Sequence, residues 1–173
     1  MRKITLMLAA LVAGVALNAQ TITHNNSQTV VDGLGLTCQS AGVTTDNQFF
    51  GVFDLAGDFG ITGSWQIDAV EFGVDEVLNA PGDAYNVVVN AYTTDDGTPN
   101  GTLTLLGGDA ITLSSADALA VVSVPFSTPA VAPAGSVVVI ELLVVDDTQT
   151  GFRLGATDVA SNDDSWILSL IHI

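Results

Sequence analysis

The segment SVVVIELLVV, residues 136–145, is apolar at odd and even positions alike except at Glu141. A strand covered on both faces has such a continuous apolar run, whereas a strand with one wet face alternates. A buried helix is the competing interpretation, but the β-branched residues and the flanking sequences PAG and DDTQTG favour a strand between turns. We therefore expect residues 136–145 to form a central strand of a sheet.

Two further segments alternate as strands do. The sequence YNVVVNAYTT, residues 85–94, has the pattern of a half-buried strand. The sequence ALAVVSVPF, residues 118–126, has Pro125 on one parity and on the other Ala118, Ala120, Val122, Val124 and Phe126. Because proline cannot donate to a sheet ladder, this strand should lie at an edge or end at Pro125.

The segment SWQIDAVEFGVDEV, residues 64–77, changes its apolar parity along its length. One set is Trp65, Ile67 and Ala69, and the other is Val70, Phe72 and Val74. One extra residue near residues 68–70 would keep both sets facing inward. We therefore predict a β-bulge there, with Trp65 and Phe72 in the core.

Five shorter segments complete the strand pattern, and capped helix patterns are absent after residue 19. They are QTVVDG (28–33), QFFGVFDL (48–55), TLTLLG (102–107), AITLS (110–114) and FRLGA (152–156). We predict an all-β fold, namely an antiparallel, jelly-roll-like β-sandwich of about eight or nine strands, preceded by a signal-peptide helix.

Residues 1–19 have the pattern of a secretory signal peptide. Arg2 and Lys3 form a short positive region, and the apolar run ITLMLAALVAGVAL, residues 4–17, follows before Ala19. This run is shorter than the ~20 apolar residues of a membrane-spanning helix, so we expect cleavage after Ala19 and no membrane insertion afterwards. The mature protein is expected to be secreted or displayed at the cell surface.

The chain is strongly acidic, with 19 Asp and Glu against 3 Lys and Arg and a formal net charge of −16. Arg2 and Lys3 lie in the expected leader, which leaves Arg153 as the sole lysine or arginine after cleavage. Such a surface repels phosphate backbones and anionic headgroups, so the charge argues against nucleic-acid binding and membrane docking. Since 48% of the residues are hydrophobic, the chain can still bury a core.

The sequence offers no catalytic constellation. Its histidines are His24, near the expected new amino terminus, and the penultimate residue His172. A Ser-His-Asp triad needs a base within reach of the nucleophile, and chain ends are usually solvated, so we expect an exposed His24 and no triad. We therefore predict that the chain is not an enzyme.

Glu141 and Arg153 are the charged residues of most structural interest. A carboxylate in an apolar central strand needs a partner if it is buried. Arg153 is the strong base that remains to meet it, so one hypothesis pairs Arg153 with Glu141 or with a loop aspartate. The alternative is that Glu141 faces solvent on an exposed sheet face.

Two acidic loops offer the oxygen ligands that calcium accepts. The candidate ligands are Asp95 and Asp96 in TTDDGTPNG, and Asp146 and Asp147 in VDDTQTG. A hairpin turn explains Asp-Asp-Gly equally well. Calcium is thus the one cofactor for which the sequence offers ligands, because transition metals need His or Cys clusters that are missing.

Several segments together resemble the N-terminal β-sandwich region of large bacterial secreted proteins. The family pattern TDNxxxxVFDL matches residues 45–55, V-x-F-G-V matches residues 70–74, and V-x-V-x-x-Y matches residues 87–92. The resemblance covers residues 21–166 and implies a non-catalytic, lectin-like or adhesive accessory. The leader ending in NAQ and the lysine-poor chain also resemble cargo of the type IX export route.

The same resemblance bears on Cys38, the single cysteine. The family has a second cysteine shortly after the GFRLGA strand, where this chain continues with SNDDSWI and then LSLIHI. That ending, residues 168–173, resembles translated sequencing adapter, and a short apolar final strand is the alternative. The resemblance implies that Cys38 forms a disulfide in the intact protein with a partner missing from this sequence.

The expected organisation is a signal peptide (1–19), a flexible segment (20–27), a β-sandwich domain (28–167) and a non-native tail (168–173). The expected function is adhesion or recognition of an extracellular glycan or protein, as the N-terminal fragment of a larger protein. One alternative is a carbohydrate-binding accessory of a secreted hydrolase, with Tyr92 and Trp166 as candidate exposed aromatics. Another is a small acidic hydrolase that uses loop carboxylates.

Overall fold

The computed structural model describes residues 20–40, 43–44, 47–78, 85–144, 151–157 and 165–169, and for 39–40, 43–44 and 165–169 it describes the backbone alone. The strands in these ranges are β1 Gln39–Ser40, β2 Val43–Thr44, β3 Asn47–Asp54, β4 Trp65–Leu78, β5 Tyr85–Thr94, β6 Leu103–Leu113, β7 Ala120–Ala132, β8 Val137–Val144, β9 Gly151–Leu154 and β10 Ser165–Ser169. A single 3-10 turn, Ser115–Asp117, interrupts them in the described part of the chain.

Two antiparallel sheets form the body of the protein, so the predicted all-β sandwich is confirmed. The larger sheet has the order β10-β3-β8-β5-β6 and the smaller sheet has the order β7-β4-β9. The strands pair in a nested way, β10 with β3, β9 with β4 and β8 with β5, around the β6–β7 connection. This nesting is jelly-roll-like, and it places β8 in the middle of the larger sheet as the apolar run predicts.

The core lies between the sheets and is built from alternate residues of their strands. Its central contact is aromatic, because the Phe152 ring of β9 stacks on the Tyr85 ring of β5 with centroids 5.6 Å apart. Phe152 also meets Phe49 of β3 edge-on at 6.3 Å. Phe152 belongs to the smaller sheet and both partners to the larger sheet, so these contacts join the two layers.

A register irregularity occurs where the sequence predicts a β-bulge, but the extra residues lie in β7 and not in β4. The register of β4 against β7 shifts between Ile67 and Ala69, where the partners on β7 pass from Ala130 to Pro125. More residues of β7 than of β4 therefore lie between these two pairs. Ala69 is exposed instead of inward, while Phe72 lies in the core and Trp65 packs against it. Pro125 lies in the edge strand β7, in agreement with its missing N–H group.

Residues 28–33 are not a strand, in contrast to the expectation from QTVVDG. The backbone of this stretch and of the residues after it forms hydrogen bonds with the edge of β9 that does not pair with β4. Val31 donates to the carbonyl of Ala156, and Leu36 and Leu154 exchange two backbone hydrogen bonds of 2.9 and 3.0 Å. The irregular segment thus covers a sheet edge that would otherwise be open to strand addition.

The segment 20–27 packs on the sandwich, and His24 is not a solvated terminal residue as expected. Nε2 of His24 lies 2.8 Å from the carbonyl oxygen of Val52. The His24 ring stacks on Phe53 at 4.5 Å and lies 5.2 Å from Phe59, while Ile22 packs against the core. These contacts hold the segment against the end of β3.

The predicted leader, residues 1–19, lies outside the described residues. Strand β10 includes Leu168 and Ser169, the first two residues of the expected tail, and pairs them with Gln48 and Asn47 of β3. Residues 170–173 also lie outside the described part. Among the residues that are described, no helix has the length and apolarity needed to cross a membrane.

Replacing Phe152 by Ala should lower the free energy of unfolding by about 3–5 kcal/mol, because the change leaves a cavity between the sheets. Denaturant unfolding measures the loss. Phe152→Leu refills much of the volume and should lose clearly less. A loss below about 1 kcal/mol for Phe152→Ala would mean that this ring does not join the layers.

Candidate functional site

The candidate site lies on the outer face of the five-stranded sheet, at its central strand β8. Val138, Leu142 and Val144 of β8 belong to the core between the sheets. Since successive side chains of a strand point to opposite faces, Val139 and Glu141 point away from the other sheet. Both are nevertheless covered, with Val139 0% and Glu141 6% exposed.

Glu141 is enclosed by the strands on either side of β8. Phe50 of β3 and Asn90 of β5 are its direct register partners. Nδ2 of Asn90 donates to Oε2 of Glu141 at 2.9 Å, and the Tyr92 hydroxyl donates to the same oxygen at 2.8 Å. We call Glu141, Asn90 and Tyr92 the outer-face cluster. It is a polar group set among apolar neighbours.

The hydroxyl of Tyr92 is held in its protonated form. Burial, followed by the hydrogen bond to the Glu141 carboxylate and the charge of that carboxylate, raises the pKa of Tyr92 to about 12. The phenol therefore acts as a hydrogen-bond donor to Oε2 throughout the neutral pH range. This fixed donor, together with Asn90, holds the carboxylate in one orientation.

Arg153 does not pair with Glu141, which corrects the first sequence hypothesis. It instead lies 3.5 Å from Glu76, its register partner on β4. The two side chains are 36% and 39% exposed, so the pair contributes at most about 1 kcal/mol. The hypothesis failed because strand pairing puts Arg153 in the smaller sheet and Glu141 in the larger one.

The β5–β6 loop uses its carboxylates to bind its own backbone. Oδ1 of Asp95 accepts from the Thr102 amide at 2.8 Å, and Oδ1 of Asp96 accepts from the Thr98 amide at 2.8 Å. These backbone hydrogen bonds, from Thr102 and Thr98 respectively, hold the pKa of each carboxyl below its usual value. The arrangement is that of a closed turn.

Calcium binding at Asp95, Asp96, Asp146 and Asp147 stays a prediction. Asp146 and Asp147 lie outside the described residues. Over the described ranges, no group of three or more His, Cys, Asp or Glu side chains is arranged to hold a metal ion.

Sequence reasoning missed the structural roles of several carboxylates, of which Asp75 and Asp109 have partners in distant segments. Asp75 is 3% exposed and accepts the amides of Gly33 and Gly35 at 3.0 and 3.1 Å. Asp109 on β6 accepts the amide of Ser127 on β7 at 2.8 Å, which ties the edges of the two sheets together. An acid within an apolar strand signals such a role, but its partners come from distant segments that the pattern does not reveal.

The remaining candidates are placed as follows. Tyr92 is half-buried. The backbone of Trp166 in β10 pairs with that of Phe50 in β3. The half-buried Cys38 is a free thiol, and its carbonyl accepts from Nδ2 of Asn47 at 3.0 Å.

No known protein-family model matches the chain, and no curated protein matches it significantly. The geometry of the site therefore carries the functional argument.

Replacing Asp75 by Ala should cost about 2–4 kcal/mol, because two buried backbone amides lose a charged acceptor. Denaturant unfolding is the measurement. Glu71→Ala is the matched control on the same strand, since Glu71 is exposed and should change stability by less than about 0.5 kcal/mol. Equal effects of the two changes would contradict the assigned role of Asp75.

Asp96→Asn should lower the melting temperature at neutral pH, and the difference from the wild type should shrink on acidification. The folded pKa of Asp96 is below the ordinary value of 3.8, so its stabilisation is present above that value and disappears as the pH falls through the folded pKa. Thermal unfolding between pH 7 and pH 2 checks this. A difference that stays constant or grows in acid would contradict it.

Proposed function

We propose that the chain is a non-catalytic recognition or adhesion module of an exported protein, and that it binds through the outer face of the five-stranded sheet. The outer-face cluster is the observation that carries this proposal. It places a carboxylate, an amide and a phenol side by side on a face that does not form the core.

The stability of the fold gives no reason for a carboxylate at position 141. Removing a charge from water has a cost that hydrogen bonds to neutral groups offset only in part. An apolar residue, such as those at the other β8 positions, would pack there at no such cost. A side chain that is unfavourable for folding and fixed in orientation by Asn90 and Tyr92 is typical of a site selected for binding.

The acidity of the chain limits the class of partner. A net charge of −16 disfavours nucleic acids and anionic lipids, and it favours neutral or cationic partners. Extracellular glycans and proteins remain as partner classes, in line with the sequence resemblance to secreted accessory modules. We propose by the same resemblance that further domains of the larger protein would hold any catalytic function.

The two described carboxylates of the β5–β6 loop, Asp95 and Asp96, are poorly suited to be the general acid of the hydrolase alternative. A general acid needs a raised pKa, so that it carries a proton at the working pH. In Asp95 and Asp96 the backbone hydrogen bonds lower the pKa instead. Both side chains are also committed to closing the loop, which suits a structural role.

The test is binding of the labelled chain to a glycan array and to an array of immobilised soluble proteins of graded charge, with calcium and with EDTA. We expect saturable binding to a subset, and a reduction of at least about tenfold for Glu141→Gln. Glu71→Gln on the exposed face of β4 removes the same charge and should bind as the wild type does.

Absence of saturable binding on both arrays, or equal binding by Glu141→Gln and the wild type, would overturn the proposal. Cleavage of array glycans by the purified chain that Asp95→Asn or Asp96→Asn abolishes would support the hydrolase alternative instead.

A further inference from the structure

The unused hydrogen-bonding capacity of the outer-face cluster consists mainly of acceptors. Both donors to Glu141 meet Oε2, so within the described residues Oε1 keeps its lone pairs free. The Tyr92 hydroxyl donates its hydrogen bond to Glu141, so its oxygen can act toward a ligand only as an acceptor. Oδ1 of Asn90 is a further acceptor, and one N–H of Asn90 is the remaining donor.

Gly108 on β6 is the register partner of Asn90 and lies beside the cluster. A Cβ atom at this position would lie 2.5 Å from Oδ1 of Asn90. The absence of a side chain therefore lets the Asn90 amide lie close against β6. Gly108 is itself exposed, so a ligand group can approach from solvent.

The carboxylate also lacks a cationic partner in the part of the chain that the structure describes. Arg153 is paired with Glu76 in the other sheet. His24 lies at the end of β3, against Val52 and Phe53. A covered carboxylate bound by two neutral donors is stabilised further by a positive charge.

We propose that the outer-face cluster receives an ammonium or guanidinium group, namely a lysine or arginine side chain of a partner protein. This inference rests on the proposed function and gives the chemistry of its ligand. Such groups carry donors and no acceptor, which matches the acceptors that Glu141, Asn90 and Tyr92 offer. A long side chain also suits a carboxylate that is only 6% exposed.

The surroundings favour a protein as the source of the cation. The face around the cluster is apolar, with Val139 on β8 itself, and with Val52 and the 59% exposed Leu105 on other strands of the sheet. A charged anchor set in an apolar surround is typical of the centre of a protein interface. The net charge of −16 would in addition speed the approach of a basic partner.

A divalent metal ion fits the cluster less well than an organic cation. Calcium takes 6–8 oxygen ligands, usually with more than one carboxylate. The outer-face cluster offers a single carboxylate with one amide and one phenol. Its donor set therefore suits one or two hydrogen bonds to a cationic side chain.

The experiment is an NMR titration of the isotope-labelled full chain with three probes, N-acetyl-arginine amide, N-acetyl-lysine amide and N-acetyl-citrulline amide. Citrulline has the shape of arginine without its charge. We expect saturable shifts of the Asn90 side-chain amide and the Gly108 backbone amide with the arginine or lysine probe, with a Kd of about 1 mM. The citrulline probe should bind at least about tenfold more weakly.

Three variants distinguish binding at the cluster from a general effect of the negative charge of the protein. Glu141→Gln keeps an acceptor for Asn90 and Tyr92 and should weaken the cationic probes at least about tenfold, whereas Glu71→Gln should leave them unchanged. Leu105→Lys places a cation on the exposed strand β6 opposite Tyr92 and should weaken them as well. This variant also covers the case in which Glu141→Gln fails to fold.

Equal shifts with arginine and citrulline, or equal weakening by Glu141→Gln and Glu71→Gln, would overturn the inference. If the arrays show binding that depends on Glu141 but the cationic probes cause no shift, the recognition function stands and the cationic ligand is wrong. If neither experiment depends on Glu141, both proposals fail.

Discussion

The contact of Phe152 with Tyr85 and Phe49 sets how the two sheets pack against each other. It joins a short strand of the smaller sheet to two strands of the larger one. Aromatic rings bury large apolar areas and constrain geometry, so this contact fixes how the layers face each other. Once the layers are fixed, the inner and outer positions of every strand follow from alternation.

The functional proposal is a consequence of that geometry. With the inner face of β8 committed to the core, Glu141 must lie on the outer face, where Asn90 and Tyr92 meet it from β5. The same closed sandwich uses other carboxylates for stability. Asp75 holds an N-terminal loop, and Asp109 ties β6 to β7. Among the described residues, Asp75 and Asp109 thus have structural roles, whereas Glu141 does not tie separate segments together.

Much of the fold could be predicted from local pattern. The apolar run around Glu141 predicts a central strand, and Pro125 predicts an edge strand, because burial and hydrogen bonding act on each strand separately. Long-range partners could not be predicted in this way. The pairing of Arg153 with Glu76, and the packing of His24 on Phe53, depend on which strands become neighbours. That information is carried by the topology and not by any short segment.

If the ring contact between β9 and β5 holds the two sheets together, Phe152 and Tyr85 must be energetically coupled. A double-mutant cycle with Phe152→Leu, Tyr85→Leu and the double variant measures this coupling from the free energies of unfolding. We expect a favourable coupling of about 0.5–1.5 kcal/mol between the two positions. A coupling of zero, with the two single losses simply adding, would show that this contact does not join the sheets.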